Sequence, residues 1–297
     1  MKAVEGASEK KFLTGMMLSM FCWGLSWPVG KMLASYGAAE TISFFRFLTT
    51  FISLLFLLLI VKENLSIKKQ GIPLLIVASI CMTAYGYFFL EGLSKGKAGA
   101  GGVLVTTLNP IITYLLIMVL SLQPPSYKEI AGLMLGLAAG CVLLQVWNPD
   151  LKIFDKGNLY FVSATLTWAV LSRFTSTSGH YGSPLSFSLW MYGLCTLFML
   201  FISAPQENLR VLQKADFSFW GNMFFSATIT TSLATTYYFY ATTKIGASKA
   251  SSFIFLVPLS AAAGAWIMLG EIPLWNTLAG GALGLLAVYI LNKKEKK

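Results

Sequence analysis

The sequence predicts an all-α membrane protein of ten transmembrane helices arranged as two inverted five-helix repeats. Three observations carry that expectation. First, 56% of the 297 residues are hydrophobic and only 11% are charged, with a mean hydropathy of +0.69. A soluble surface needs roughly a quarter to a third of its residues charged, and 22 Lys+Arg with 12 Asp+Glu cannot supply that for a 32.5 kDa body. Second, the chain divides into ten apolar runs, each near the ~20 helical residues that cross a ~30 Å hydrocarbon core. Third, landmarks of the first half recur in the second at a nearly constant offset.

The runs lie between charged or Pro/Gly-rich breaks. The first, 12–32, follows Lys10-Lys11, and the second, 40–61, stops at Lys62-Glu63. Run 71–93 lies between Lys69 and Lys95, and run 98–122 between Lys97 and Pro124-Pro125. The fifth, 128–147, ends before Asn148-Pro149-Asp150, and the sixth, 157–176, follows Lys156. Runs 183–203, 218–243, 246–270 and 274–292 are set off by Pro205, Asp216, Lys244, Gly270-Glu271 and Lys293. Long continuous runs exclude a barrel, whose ~10-residue strands alternate every second residue. The first run is about 20 residues long with no clean small-x-small cleavage site, so it reads as a retained span rather than a signal peptide. The expected organisation is a tail 1–11, a first repeat 12–147, a second repeat 157–292 and a tail 293–297.

Basic residues set the orientation. With ten spans both termini share a side, and that side collects 13 Lys, whereas the other holds seven Lys+Arg. Both termini are therefore expected in the cytoplasm. The +10 net charge is read as this topology signal plus attraction to anionic headgroups, not as a nucleic-acid footprint. Cys22, Cys81, Cys141 and Cys195 all sit in apolar runs and read as packing residues, with no disulfide or metal framework.

The repeat is anchored on Pro110 and Pro258, 148 residues apart. At that offset Ala131-Gly132 falls on Ala279-Gly280 and Gly136 on Gly284, while Trp23 and Trp168 match at 145. Five spans per half is an odd number, so the halves enter the membrane from opposite sides. Such repeats recur in secondary transporters, with the substrate site near the midplane between them. The stretch from Tyr240 to Ala250 (YATTKIGASKA), then Leu256-Val-Pro258 and Leu269-Gly270-Glu271, resembles the second repeat of the EamA branch of the drug/metabolite transporter superfamily. Phe21-Cys-Trp23-Gly24-Leu-Ser-Trp27 and Thr167-Trp168-Ala-Val-Leu-Ser-Arg173 resemble the first helices of its two repeats. The first repeat departs from the pattern at Ser121-Leu122-Gln123, where the second has Leu269-Gly270-Glu271. The resemblance implies a bacterial inner-membrane carrier that exports amino acids, amines or similar amphiphiles by alternating access. The branch also includes importers of larger solutes such as adenosine-containing metabolites, which leaves direction open.

Candidate site residues follow from depth. Trp23 and Trp27 share a helix face, and Trp23 and Trp168 fall at mid-depth although tryptophan concentrates at interfaces. They read either as packing aromatics or as walls of a substrate cavity. Tyr85, Tyr192 and Tyr237 are similarly deep, and Asn109 offers an amide; together these seven residues form the expected substrate site. Its expected character is aromatic and mostly uncharged, which disfavours strongly anionic solutes. Pro110 and Pro258 each remove a backbone hydrogen bond in mid-span, as static kinks or as hinges. Arg46 and Glu91 are placed at similar depth near the outer face, as a structural pair or a gate. Glu271 is expected to support the outer turn before the last span. The small-xxx-small ridges Gly132/Gly136/Gly140 and Gly280/Gly281/Gly284 serve close helix packing, within the chain or in a homodimer.

Enzyme classes lack their residues. The chain has one histidine, no HExxH and no paired mid-membrane acids. The expected partners are a small-molecule substrate and the lipid bilayer, with no cofactor, no metal and no nucleic acid. A passive channel or an intramembrane enzyme is the alternative from another class.

Overall fold

A computed structural model describes residues 2–121, 126–147, 155–246, 250 and 252–292, and all regular structure in them is helical. Expectations at Leu122, Gln123, Lys152, Lys249 and the tail 293–297 lie outside those residues, as does the side chain of Pro110.

The first half contains α1 (Lys2–Ala34), α2 (Ala39–Val61), α3 (Ile72–Lys95), α4 (Ala98–Ser121) and α5 (Tyr127–Leu144). The second begins with α6 (Lys156–Thr175), α7 (Pro184–Ile202) and a short α8 (Pro205–Lys214). Next comes a continuous composite helix of α9 (Phe217–Phe224), a π-helical stretch Phe225–Thr235 and α10 (Thr236–Ile245). A 3-10 turn, Ser252–Phe255, leads into α11 (Leu256–Leu269), and α12 (Trp275–Asn292) closes the chain.

Among the described residues five helices are long and apolar enough to cross a membrane: Lys11–Ala34, Ala39–Val61, Lys69–Lys95, Ala98–Leu116 and Pro184–Ile202. The other expected spans are shorter, more polar or interrupted, and the reasons are local. Ser and Thr dilute α6, the π-helix divides the eighth run, and Pro258 divides the ninth. Proline has no N–H to donate to residue 254, so the chain there is a 3-10 turn before it is an α-helix. Large side chains such as Phe56, Leu59, Ile60, Ile80 and Phe201 stand exposed on the outer faces. So much apolar surface is tolerated in lipid and not in water.

Helices of the two halves interlock. α1 packs on α11 and α4 on α6; α3 packs on α6 and α7, while the composite eighth helix packs on α1 and α2. α2 meets α7, α4 meets α11, and α5 meets α12. Glycines permit the closest approaches. A Cβ at Gly136 would lie 2.5 Å from Ile111 Cδ1, and one at Gly280 2.6 Å from Leu143 Cγ. Gly140 and Gly284 face Leu108 and Thr107 in the same way. These glycines pack against helices inside the chain.

On the side where the loops 35–38 and 215–216 meet, Tyr36 donates its hydroxyl to Asp216 Oδ1 at 2.7 Å. The same oxygen caps α9 by accepting from the Phe219 N–H at 2.8 Å. These two bonds hold the Asp216 carboxyl below the usual carboxylate range, and the bond to Asp216 pushes the Tyr36 phenol up. The amphipathic α8 beside them, between the seventh and eighth runs, buries Val211 against Gly37 and leaves Leu209 and Leu212 exposed.

Candidate functional site

A cavity with about 500 Å³ of empty space, its mouth included, lies between the halves. Its walls come from the middles of α1, α3, α4, α6 and the composite helix, with Arg46 from α2 and Ile254 and Val257 from the Pro258 region. Five of the seven expected substrate residues line it: Trp23, Trp27, Tyr85, Asn109 and Trp168.

The aromatic wall is one connected cluster. Trp23 and Trp168 meet edge to face with ring centres 5.2 Å apart, and Tyr85 lies 4.6 Å from Trp168. Trp27 packs against Phe89 at 4.9 Å and Phe161 at 5.7 Å. The Trp23 indole donates Nε1–H to Thr235 Oγ1 at 3.1 Å, which fixes the ring and satisfies its polar edge. Asn109 accepts from the Thr113 hydroxyl at 3.4 Å. Ser26, Thr106, Thr230 and Thr235 add hydroxyls, and Met82, Val105, Ile254 and Val257 complete the apolar surface.

Two expected residues do not reach the cavity. Tyr192 is fully buried behind the wall, with its ring 5.9 Å from Phe47. Tyr237 faces α1 near its start, where its hydroxyl donates to the Phe12 carbonyl at 3.3 Å. The neighbouring Tyr238 is the one directed inward, 4.8 Å from Trp23. Pro258 lies just beyond Val257 in the first turn of α11, and Pro110 follows Asn109 within α4.

The expected Arg46–Glu91 pair is absent. Glu91 lies one turn from the end of α3 and pairs with Lys95, four residues on along the same helix. Arg46 is two turns into α2 and buried (6% exposed), on the cavity wall instead of the rim. Its Nη2 donates to Thr231 Oγ1 at 3.0 Å, and its guanidinium carbon lies 5.2 Å from the centre of the Phe89 ring. The cavity is thus aromatic but not uncharged, which removes the argument against anionic solutes.

The π-helix delivers the hydroxyls. Thr231 and Ser232 donate to the carbonyls five residues back, Ser226 and Ala227, at 2.7 and 2.9 Å, and Thr235 donates to Thr230 at 3.1 Å. The wide turn leaves backbone carbonyls for side chains to satisfy, a feature concentrated at functional sites. Glu271 caps α4 from the opposite half, accepting from the Ala98 and Gly99 N–H groups at 3.2 and 3.0 Å. A carboxylate at a helix N-terminus is favoured by the unpaired donors and the helix dipole. Among the described residues no three His, Cys, Asp or Glu come together as metal ligands.

The transporter YoaV of Bacillus subtilis, whose name carries no solute, is 23% identical over 94% of this chain and 96% of its own. The transporter sll0355 of Synechocystis is 24% identical, covering 99% of this chain and 94% of its own. A solved crystal structure of a protein superposes with a TM-score of 0.62 at 16% identity, covering 94% of this chain and 96% of that one, and shows a common fold. The EamA-like transporter family matches residues 11–145 and again 155–293. By that match over nearly its whole length, the chain belongs to the EamA-like transporter family and is a multi-pass membrane transporter.

Proposed function

We propose that the protein is a ten-span secondary transporter that moves an amphipathic small metabolite through the central cavity by alternating access. The observation that carries this reading is the aromatic cavity at mid-depth, built from both halves around Trp23 and Trp168. Inverted five-helix repeats are supported by the packing pattern. Exchanging each helix of the first half with its counterpart in the second turns the α1–α11 contact into α6–α4. The same exchange turns α3–α6 into the contact between the composite helix and α1, and leaves α2–α7, α4–α11 and α5–α12 unchanged. Two similar halves around one site have two mirror arrangements of comparable energy, which is what alternating access requires.

The basic-residue bias supports cytoplasmic termini and residence in a bacterial inner membrane. Export is the direction we assign, with an amino acid, amine or similar amphiphile as cargo. Pro110 and Pro258 supply bending points, since each leaves a backbone carbonyl without its helical donor.

A thermal-shift screen of the detergent-purified protein against a metabolite panel tests the site. A true cargo at a hundred times its Kd raises stability by about 2.7 kcal/mol. Trp23→Phe and Trp168→Phe should each shrink that stabilisation at unchanged ligand concentration. A ligand that stabilises wild type and both variants equally would place the binding site elsewhere.

A further inference from the structure

The cavity holds a charge, Arg46, that no acid among the described residues pairs with. Among the described residues the ion pairs are Lys95–Glu91 and Arg210–Glu207, and neither involves Arg46. The Arg46 guanidinium makes one side-chain hydrogen bond, to Thr231, and its buried Nε has no partner. Phe89 lies against the guanidinium but cannot take its N–H groups. A second polar atom on the same cavity is also unpartnered, the buried Thr230 hydroxyl. Thr230 and Thr231 are adjacent in the π-helix, and their roles divide. Thr231 gives its proton to the Ser226 carbonyl, which leaves its oxygen to accept from Arg46 and hold the guanidinium in place. Thr230 has no such commitment.

We propose that Arg46 and Thr230 form an anion subsite that takes the carboxylate of an amphipathic substrate, while Trp23, Tyr85 and Trp168 hold its apolar body. A guanidinium presents parallel N–H donors that match the two oxygens of a carboxylate. A charged group kept inside a membrane protein normally marks the path of its substrate or coupling ion. Buried donors left unpaired in the empty site also discriminate by charge. They are satisfied by a carboxylate, partly satisfied by an amide and repelled by an amine. Of the amphiphiles assigned above, carboxylates are thus selected over simple amines. The inference rests on the proposed transport role of the cavity and narrows its cargo.

The test uses three probes of one shape: 3-phenylpropionate, 3-phenylpropionamide and 3-phenylpropylamine. Binding of each to the full-length, detergent-purified protein is measured by calorimetry. The carboxylate should bind at least about tenfold more tightly than the amide, as expected for a charge-assisted bond, and the amine most weakly. Arg46→Gln should erase the preference for carboxylate over amide, and the binding that remains for both reports an intact aromatic wall. Thr230→Val should weaken carboxylate binding severalfold, and more than it weakens amide binding. Equal behaviour of acid and amide in wild type, including no binding by either, would overturn the subsite. So would an unaltered preference in Arg46→Gln. If that variant does not fold, the wild-type comparison alone decides the question. None of these failures touches the transport reading, which is tested separately by transport through the Trp23 and Trp168 variants.

Discussion

Replacing Trp168 by alanine should reduce transport by about thirty-fold or more at unchanged membrane abundance. The ring touches Trp23, Tyr85 and Tyr238 and faces the cavity. One aromatic face against an apolar solute contributes about 2 kcal/mol, which is about thirty-fold in affinity. Trp23→Ala should match it and adds the loss of the Thr235 hydrogen bond. Because both rings are buried, alanine also opens a void that destabilises the fold by about 3–5 kcal/mol. Phenylalanine at either position separates the two effects, since it keeps most of the volume and should still impair transport severalfold. Uptake into vesicles of matched protein content is the measurement. Full activity in both alanine variants would remove the cavity from the mechanism.

A second large effect, on stability alone, is expected at Gly24. A Cβ there would sit 1.8 Å from Ser260 Oγ, 2.5 Å from Ser260 Cβ and 2.8 Å from the backbone nitrogen of Ala261. A side chain can rotate away, but the backbone of α11 cannot move without separating the two helices. Gly24→Ala should therefore cost about 1–3 kcal/mol, as overpacking does, and Gly24→Leu should leave no folded protein in detergent. Combining Gly24→Ala with Ser260→Gly should recover part of the loss, because two of the three close contacts disappear. A purely additive double mutant in a thermal-denaturation cycle would show that the α1–α11 approach is not what Gly24 protects.

Lipid explains why the gross plan was legible in the sequence. A helix that faces hydrocarbon must be apolar along its length, so the bounds of α2, α3, α4 and α7 fall close to the breaks at Glu40, Lys62, Lys95 and Pro205. Trp23 and Trp168 stood out because they are deep and recur at the repeat offset. The π-helix left no such mark. Phe225–Thr235, rich in Ser, Thr and Ala, reads as ordinary helix, and only i to i+5 pairing distinguishes it. Depth alone does not separate neighbours on a helix: Tyr237 donates to the Phe12 carbonyl, while Tyr238 lies 4.8 Å from Trp23. Glu91 misled for a different reason. Its partner is Lys95, at i+4 on the same helix, and this local pairing competes with any distant one at equal depth. Two turns of α2 carry Arg46 past the rim into the cavity, where its charge has a different meaning.

The central claim is that a solute crosses through this cavity on a carrier with two alternating openings. Counterflow in proteoliposomes tests it most directly. Vesicles are loaded with an unlabelled cargo found by thermal shift, and the entry of trace labelled cargo is followed without any ion gradient. The account predicts saturable uptake, a transient internal accumulation above the outside level, and loss of both in Trp168→Ala. Flux that rises linearly with concentration and ignores the internal solute would be that of a pore and would contradict the account.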